Sequence, residues 1–145
     1  MEGFFSPRGV AVFGVSENPK NVARAVLQNL QLCRYQGHVV GIGSREYEID
    51  GVKILPSIAA VDQPIDLAVI ITPAATVIPL MQECRDRGIR RAVVMTAGFN
   101  EFKGGDDVLS KEVKAAADEL GVRFIGPNCQ GVINTRAGLC LPFGL

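Results

Sequence analysis

The chain has 145 residues, with 15 Lys and Arg against 15 Asp and Glu, and so a formal net charge of zero. One domain of this length buries roughly 68–70% of its unfolded surface, and 48% hydrophobic with 21% charged residues is a globular rather than a disordered balance. No global field attracts nucleic acid or an anionic membrane, so neither is an expected partner, and any bound anion must be caught by local groups.

Residues 9–15 are a short apolar run rich in Val and Phe, suited to a strand buried on both faces. Asn21 reads as an N-cap, with Val22, Ala25, Val26, Asn29, Leu30 and Cys33 following at helical spacing. A second strand is expected over 37–43, "GHVVGIG". The Asp50-Gly51 pair in "EIDGVKILPS" suggests a small hairpin-like excursion. Ser57 is placed to cap one or two helical turns through Val61. "PIDLAVIIT" is the clearest strand, and Pro73 is expected to end it and open a helix at its first turn, running to about Arg87 before Gly88. "RRAVVMTAG" reads as a fourth strand, "DDVLSKEVKAAADELG" as an acid-started helix ending at Gly121, and "VRFIG" as a fifth strand.

Helices alternating with β-rich runs imply right-handed βαβ units. The expected class is α/β: a Rossmann-like, doubly wound, mainly parallel five-stranded sheet with helices on both faces, in a single domain over 1–145. Ligands of such sheets bind outside the carboxyl ends of the strands, which directs attention to the turns at 14–21, 43–48, 72–76, 96–99 and 126–131.

After Gly14 the first turn offers Ser16, Asn18, Lys20 and Asn21 ahead of a helix start, where free amides and the helix dipole favour an anion. A dinucleotide fingerprint wants three glycines there; Ser16 and Pro19 stand where close pyrophosphate approach would be needed, so the strict NAD pattern fails. The turn is either a different phosphate turn or a plain strand–helix connection. At the end of the second strand, NAD binders place an acid for the ribose hydroxyls, whereas this chain reads "GIGSREYE". Arg45 there suits a phosphate on the adenosine ribose, as carried by NADP and coenzyme A, while Glu46 and Glu48 also fit a solvated charged loop. "ITPAAT" and "MTAGFN" bring small residues and hydroxyls to two further strand ends; the space they leave serves either a ligand or tight strand–helix packing.

Catalytic residues are not evident. The turns lack paired titratable groups for acid–base work. Cys129 in "GPNCQG" lacks a neighbouring base, because His38 is the single histidine and precedes the second strand, at the far end of the sheet. Cys33, Cys84, Cys129 and Cys140 contain no C-x-x-C and make no metal set. Residues 1–8 lack the apolar core of a signal peptide, and the most apolar stretch, 65–81, is broken by Asp66, Pro73 and Pro79. Reduced thiols in a cytoplasmic protein are expected.

Taken in order and spacing, "AVFGVSENPKNVARAVLQNL", "DLAVIITPA", "RRAVVMTAGFNE" and "FIGPNCQGVIN" resemble the CoA-binding domain of NDP-forming acyl-CoA synthetases. That group includes ADP-forming acetyl-CoA synthetases and, more distantly, the α subunit of succinyl-CoA synthetase. The resemblance covers nearly the whole chain and implies a domain that holds the ADP part of CoA. It places Gly14, Val15 and Ser16 on the family's G-A-S turn, with Asn18, Lys20 and Asn21 as neighbours of the phosphates. Gly43, Ser44 and Arg45 replace the family's N-P-K turn, keeping the positive charge and losing the Asn-Pro rigidity. Thr72, Pro73 and Ala74 match its V-P-A turn, and Thr96, Ala97 and Gly98 its S-A-G turn; Ala23 stands where relatives often have glycine. The family's phosphoryl-carrying histidine, its ligase domain and its ATP-grasp part have no counterpart here. The resemblance therefore implies a domain excised from a longer ligase, whose other domains lie in the same chain or a partner subunit. Two other readings stand beside it: a non-catalytic CoA-sensing or acetyltransferase-fused module, and an NADP-binding oxidoreductase domain.

Overall fold

The computed structural model describes residues 1–99 and 108–144. The predicted Asp106-Asp107 helix start, and Asn100 and Glu101 of the fourth-strand motif, lie outside the described residues. In chain order the elements are α1 (Glu2–Phe5), β1 (Gly9–Phe13), α2 (Val22–Leu32), β2 (His38–Ile42), β3 (Tyr47–Ile49), β4 (Val52–Leu55), β5 (Leu67–Ile70), α3 (Val77–Asp86), β6 (Arg91–Val94), α4 (Val108–Leu120), β7 (Arg123–Ile125), β8 (Ile133–Asn134) and β9 (Leu139–Cys140).

The main sheet runs β3-β4-β2-β1-β5-β6-β7, with every pairing parallel except β3 with β4. The class is the doubly wound one expected, but the sheet has seven strands rather than five. Asp50 and Gly51 both take positive φ, 51° and 80°, which makes the two-residue turn of a tight hairpin. The β4 arm of that hairpin then pairs with the exposed edge of β2, Gly41 opposite Ile54 and Ile42 opposite Leu55. The excursion is thus an extension of the sheet.

β1 lies at the centre, all five residues buried, and its side chains alternate between two cores. Ala11 and Phe13 face one side with Met81 and Cys84 of α3 and Val113 and Ala117 of α4. Val10 and Val12 face the other with Phe4 of α1, and Ala23, Val26, Leu27 and Leu30 of α2. The α2 spacing of three, four and seven residues makes one apolar stripe; of the expected set Val26, Asn29 and Leu30 are buried, whereas Val22 and Ala25 are only half-buried, Cys33 is exposed, and Ala23 and Leu27 take their place. Leu139 and Leu141 of the final segment are fully buried against this second core. Among the described residues no helix is long and apolar enough to cross a membrane.

Two local expectations are refined. Ser57 caps a single 3₁₀ turn, Ile58–Ala60, accepting the Ala59 amide at 3.1 Å. Pro73 does not open α3: its ψ of 142° is extended, and a 3₁₀ turn, Ala74–Thr76, comes between it and the helix.

At the amino ends of the strands, the Asp66 carboxylate accepts the amides of Arg8 (2.9 Å) and Gly9 (3.1 Å), fixing the entry to β1. Beside it the Tyr35 hydroxyl donates to the Pro7 carbonyl at 2.7 Å. Burial, reinforced by the Asp66 charge, pushes the Tyr35 phenol up from 10.0 to about 12. Because the folded value lies above the unfolded one, the stability this adds is intact below pH 10 and is lost between pH 10 and about 12. Urea titrations across that window should show wild type losing stability relative to Y35F; a constant difference would show that the phenol titrates as in the unfolded chain. At the opposite end of β1, Gly14 has φ +95° and a Cβ there would stand 2.1 Å from the Ile71 carbonyl oxygen. Gly14→Ala should cost more than about 2 kcal/mol, read as a lower urea midpoint at constant slope; a smaller loss would mean β1 and β5 can separate at this point.

Candidate ligand-binding site at the carboxyl ends of the strands

β1 is flanked by β2 on one side and β5 on the other, so the strand order reverses at its carboxyl end, where the crevice of such sheets opens. The turn that follows is held from within. The amides of Gly14 and Val15 both donate to the Ile42 carbonyl, at 3.0 and 3.1 Å. Asn21 caps α2 by accepting the Arg24 amide at 2.8 Å, and also accepts the Ser16 amide at 3.3 Å while its Nδ2 donates to the Gly14 carbonyl at 3.0 Å. Asn18 accepts the Lys20 amide through its side chain and the Asn21 amide through its carbonyl, both at 2.9 Å. The side chains of Asn18 and Asn21 therefore shape the loop. Of the four amides at the helix start, those of Asn21 and Arg24 are engaged by these bonds, leaving Val22 and Ala23 as its offer to an anion.

The turn after β2 leads directly into the β3–β4 hairpin, which is docked on α2. Arg24, Gln28 and Gln31, on one face of the helix, all reach Asp50: Arg24 Nη2 stands 3.6 Å and Gln28 Nε2 3.3 Å from its carboxylate, and Gln31 Nε2 donates to its carbonyl at 2.6 Å. Arg24 also donates to the Glu17 carbonyl at 2.9 Å, while its Nε is buried with no hydrogen-bond partner among the described residues. Arg45 projects from this turn. Its guanidinium carbon is 4.7 Å from the centroid of the Tyr47 ring, and its Nη2 is 2.6 Å from Glu17 Oε2. The Tyr47 hydroxyl donates to the Val15 carbonyl at 3.4 Å, tying the hairpin to the first turn.

The ends of β5 and β6 are linked by hydroxyls. Thr96, buried, donates to the Ile70 carbonyl and accepts the Thr72 amide, both at 3.3 Å. Thr76 Oγ1 is 2.7 Å from both the Thr72 hydroxyl and the Pro73 carbonyl. The Asn128 amide donates to the Thr96 carbonyl at 2.9 Å, so the 126–131 turn joins the same rim.

Two clefts open there. One, of about 410 Å³, is bounded by Phe13, Gly14, Val15, Ser16, Ile42, Gly43, Ser44, Pro56, Thr72, Pro73, Thr76 and Leu80. The other, of about 310 Å³, is bounded by Val22, Ile71, Thr72, Pro73, Met95, Thr96, Ala97 and Phe143. They share Thr72 and Pro73 as a common wall. The sequence-derived residues Gly14, Val15, Ser16, Thr72, Pro73, Thr96 and Ala97 thus meet at one edge of the sheet and line the two clefts. Asn18, Lys20, Asn21, Arg45, Ala74 and Gly98 belong to the same turns but line neither cleft. Sequence reasoning did not single out Pro56, Leu80, Tyr47 and Glu17: Glu17 and Tyr47 lie within the 14–21 and 43–48 turns, Pro56 follows β4, and Leu80 reaches the cleft from α3, where no local signal marked it.

His38 opens β2 at the amino ends of the strands, away from the clefts. The Cys84 thiol, enclosed beneath α3, is pushed up to about 12 by burial and by Glu83. The Cys129 sulfur is 3.4 Å from the Val94 carbonyl oxygen and spans strand ends rather than facing a base. Among the described residues no group of three His, Cys, Asp or Glu is placed to hold a metal ion.

Among proteins of known type, the chain is 39% identical over 144 residues to the α subunit of acetate–CoA ligase [ADP-forming] II from Pyrococcus furiosus, covering 99% of this chain and 31% of that subunit. It is 36% identical over 137 residues to acetate–CoA ligase [ADP-forming] of Methanocaldococcus jannaschii, covering 94% of this chain and 19% of that protein. The chain therefore spans less than a third of the length of these relatives. Among solved structures, the apo form of dinucleotide-forming acetyl-coenzyme A synthetase 1 from Ca. Korarchaeum cryptofilum superimposes with a TM-score of 0.91 at 33% identity, over 99% of this chain and 31% of that one. The family model for a CoA binding domain matches residues 8–135, nearly the whole chain including every turn of the rim, and the chain belongs to that family.

Proposed function

We propose that the chain binds coenzyme A through its 3′-phospho-ADP part, as the CoA-binding domain of an ADP-forming acyl-CoA ligase. The observation that carries the reading is the juxtaposition of an apolar cleft at Gly14–Ser16 with an arginine at its outer rim, in a chain of this family. The cleft walls of Ile42, Pro56 and Leu80 suit a flat base, with Ser44 and Thr76 as polar contacts. Ser16, Lys20 and the amides of Val22 and Ala23 take the pyrophosphate, and Arg45 takes the ribose phosphate. The pantetheine arm then passes Thr72, Pro73 and Ala74 towards Thr96, Ala97 and Gly98, where small side chains leave it room.

In the ligase, the acid is activated as an acyl phosphate by way of a phosphohistidine, and the CoA thiol attacks the acyl carbon, releasing phosphate. Those steps are assigned to the ligase and ATP-grasp domains that the family resemblance implies; this domain contributes affinity and position. The domain's work at the rim is to desolvate the base, neutralise three phosphates and aim the thiol outward.

Calorimetric titration with CoA, dephospho-CoA and NADPH tests the reading. CoA should bind more tightly than dephospho-CoA, with little response to NADPH. Arg45→Gln should weaken CoA by about three- to tenfold, the range for a charge-assisted contact moderated by exposure, and leave dephospho-CoA unchanged. Binding of NADPH without CoA would replace this reading with that of an oxidoreductase domain. Equal binding of CoA and dephospho-CoA would remove Arg45 from the site.

A further inference from the structure

Arg45 already has an anion. Glu17 Oε2 lies 2.6 Å from its Nη2, and the two residues come from different loops, the turn after β1 and the turn after β2. The backbone of Glu17 is pinned on both sides. Its carbonyl accepts from Arg24, the preceding amide of Ser16 is bonded to Asn21, and the following residue, Asn18, is closed in its own turn. Arg45 is likewise held: it stacks on Tyr47, whose hydroxyl is bonded to the Val15 carbonyl. Glu46, the acid adjacent to Arg45 in sequence, is directed elsewhere, 3.7 Å from Lys53 across the hairpin. The contact is therefore built from two anchored loops.

Glu17 follows Gly14, Val15 and Ser16, and Arg45 follows Gly43 and Ser44, all five of which line the cleft, so the pair is made between the two loops that border it. Carboxylate and phosphate ask for the same in-plane N–H donors of a guanidinium, and two anions in contact repel each other. We propose that Glu17 is an internal competitor for Arg45, occupying the place of the ligand's ribose phosphate and being displaced when that phosphate binds. The inference rests on the CoA reading above and extends it to selectivity. A ligand with the extra phosphate recovers the cost of opening the Glu17–Arg45 pair, while one without it gains nothing from Arg45 and leaves the pair closed. Glu17 is on this view a specificity-determining residue that lowers affinity for the phosphorylated ligand.

The test is calorimetry on wild type, Glu17→Gln, Arg45→Gln and the double variant, with CoA and dephospho-CoA as probes. An exposed ion pair of this type corresponds to about a two- to fivefold effect. Glu17→Gln should tighten CoA by that factor and leave dephospho-CoA, which keeps the pyrophosphate, within experimental error. In the Arg45→Gln background, Glu17→Gln should have no further effect on CoA, because the competition has lost its object. Unchanged or weakened CoA binding by Glu17→Gln overturns the inference, as does equal tightening of both ligands or an effect that survives Arg45→Gln; each would reduce Glu17 to a loop residue or a general negative field. The parent reading fails differently. If wild type does not distinguish CoA from dephospho-CoA, or binds neither, the phosphate site itself is wrong, whatever Glu17 does.

Discussion

The structure of the rim depends on how closely β1 and β5 run at their carboxyl ends. Gly14 leaves the sheet at φ +95° with no space for a side chain against the Ile71 carbonyl. That conformation turns its own carbonyl toward Asn21, which bonds it while capping α2 and taking the Ser16 amide. One amide side chain thus couples the end of the central strand, the following loop and the start of the helix. Without the glycine the loop would stand away from β5, and the wall shared by the two clefts at Thr72 and Pro73 would no longer face Ser16. The single glycine of this turn is a packing requirement between strands rather than the remnant of a dinucleotide fingerprint.

A chain with no net charge must make its anion affinity locally. Here the positive groups are not clustered on an open surface but held by the scaffold. Arg24 is used internally, joining the Glu17 carbonyl to the Asp50 carboxylate, so it fixes geometry rather than meeting a ligand. Arg45 is presented at the rim, as is the exposed Lys20 of the first turn, and the position of Arg45 is set by a hairpin that is itself clamped to α2 through Asp50. The helix whose amino terminus opens at this rim therefore also determines where the arginine stands. A helix start and an arginine far apart in sequence become one constellation, as the proposed phosphate contacts require.

Much of this was legible in the sequence because it is local. The Asn21 and Ser57 caps, helix α2 and the five strands read along the chain each depend on residues within a few positions of one another. The Asp50-Gly51 turn was legible too, but not its consequence. Strands of three and four residues carry almost no periodic signal, and whether a hairpin stands free or adds to the sheet depends on the open edge of β2, a distant property. The same holds for the site. Turn composition placed the rim residues, whereas the Glu17–Arg45 contact joins positions 28 residues apart and follows only from the folded loops. Pro73 misled for a more physical reason: proline suits a first helical turn, but its extended ψ here starts a 3₁₀ turn that carries Thr76 toward Thr72.

That 3₁₀ turn bears on how the two clefts are divided. A helix begun at Pro73 would give α3 an extra turn beside the strand end and draw Thr72 into helical geometry. With the tighter turn between, Thr72 remains at the rim with its amide on Thr96 and its hydroxyl beside Thr76. The Thr96 hydroxyl takes the Thr72 amide, a donor that a glycine-rich turn would leave for a ligand's phosphate, while the Thr96 and Thr76 hydroxyls are themselves directed at the Ile70 and Pro73 carbonyls. Among the described residues this half of the rim is lined with Pro73, Ala97 and Met95. Among the described residues, charge stands at the half bounded by β1 and β2, and the half bounded by β5 and β6 is weakly polar, as the proposed course of a nucleotide and its thiol arm requires. The asymmetry suits a molecule that is a phosphorylated nucleotide at one end and a flexible thiol-bearing chain at the other.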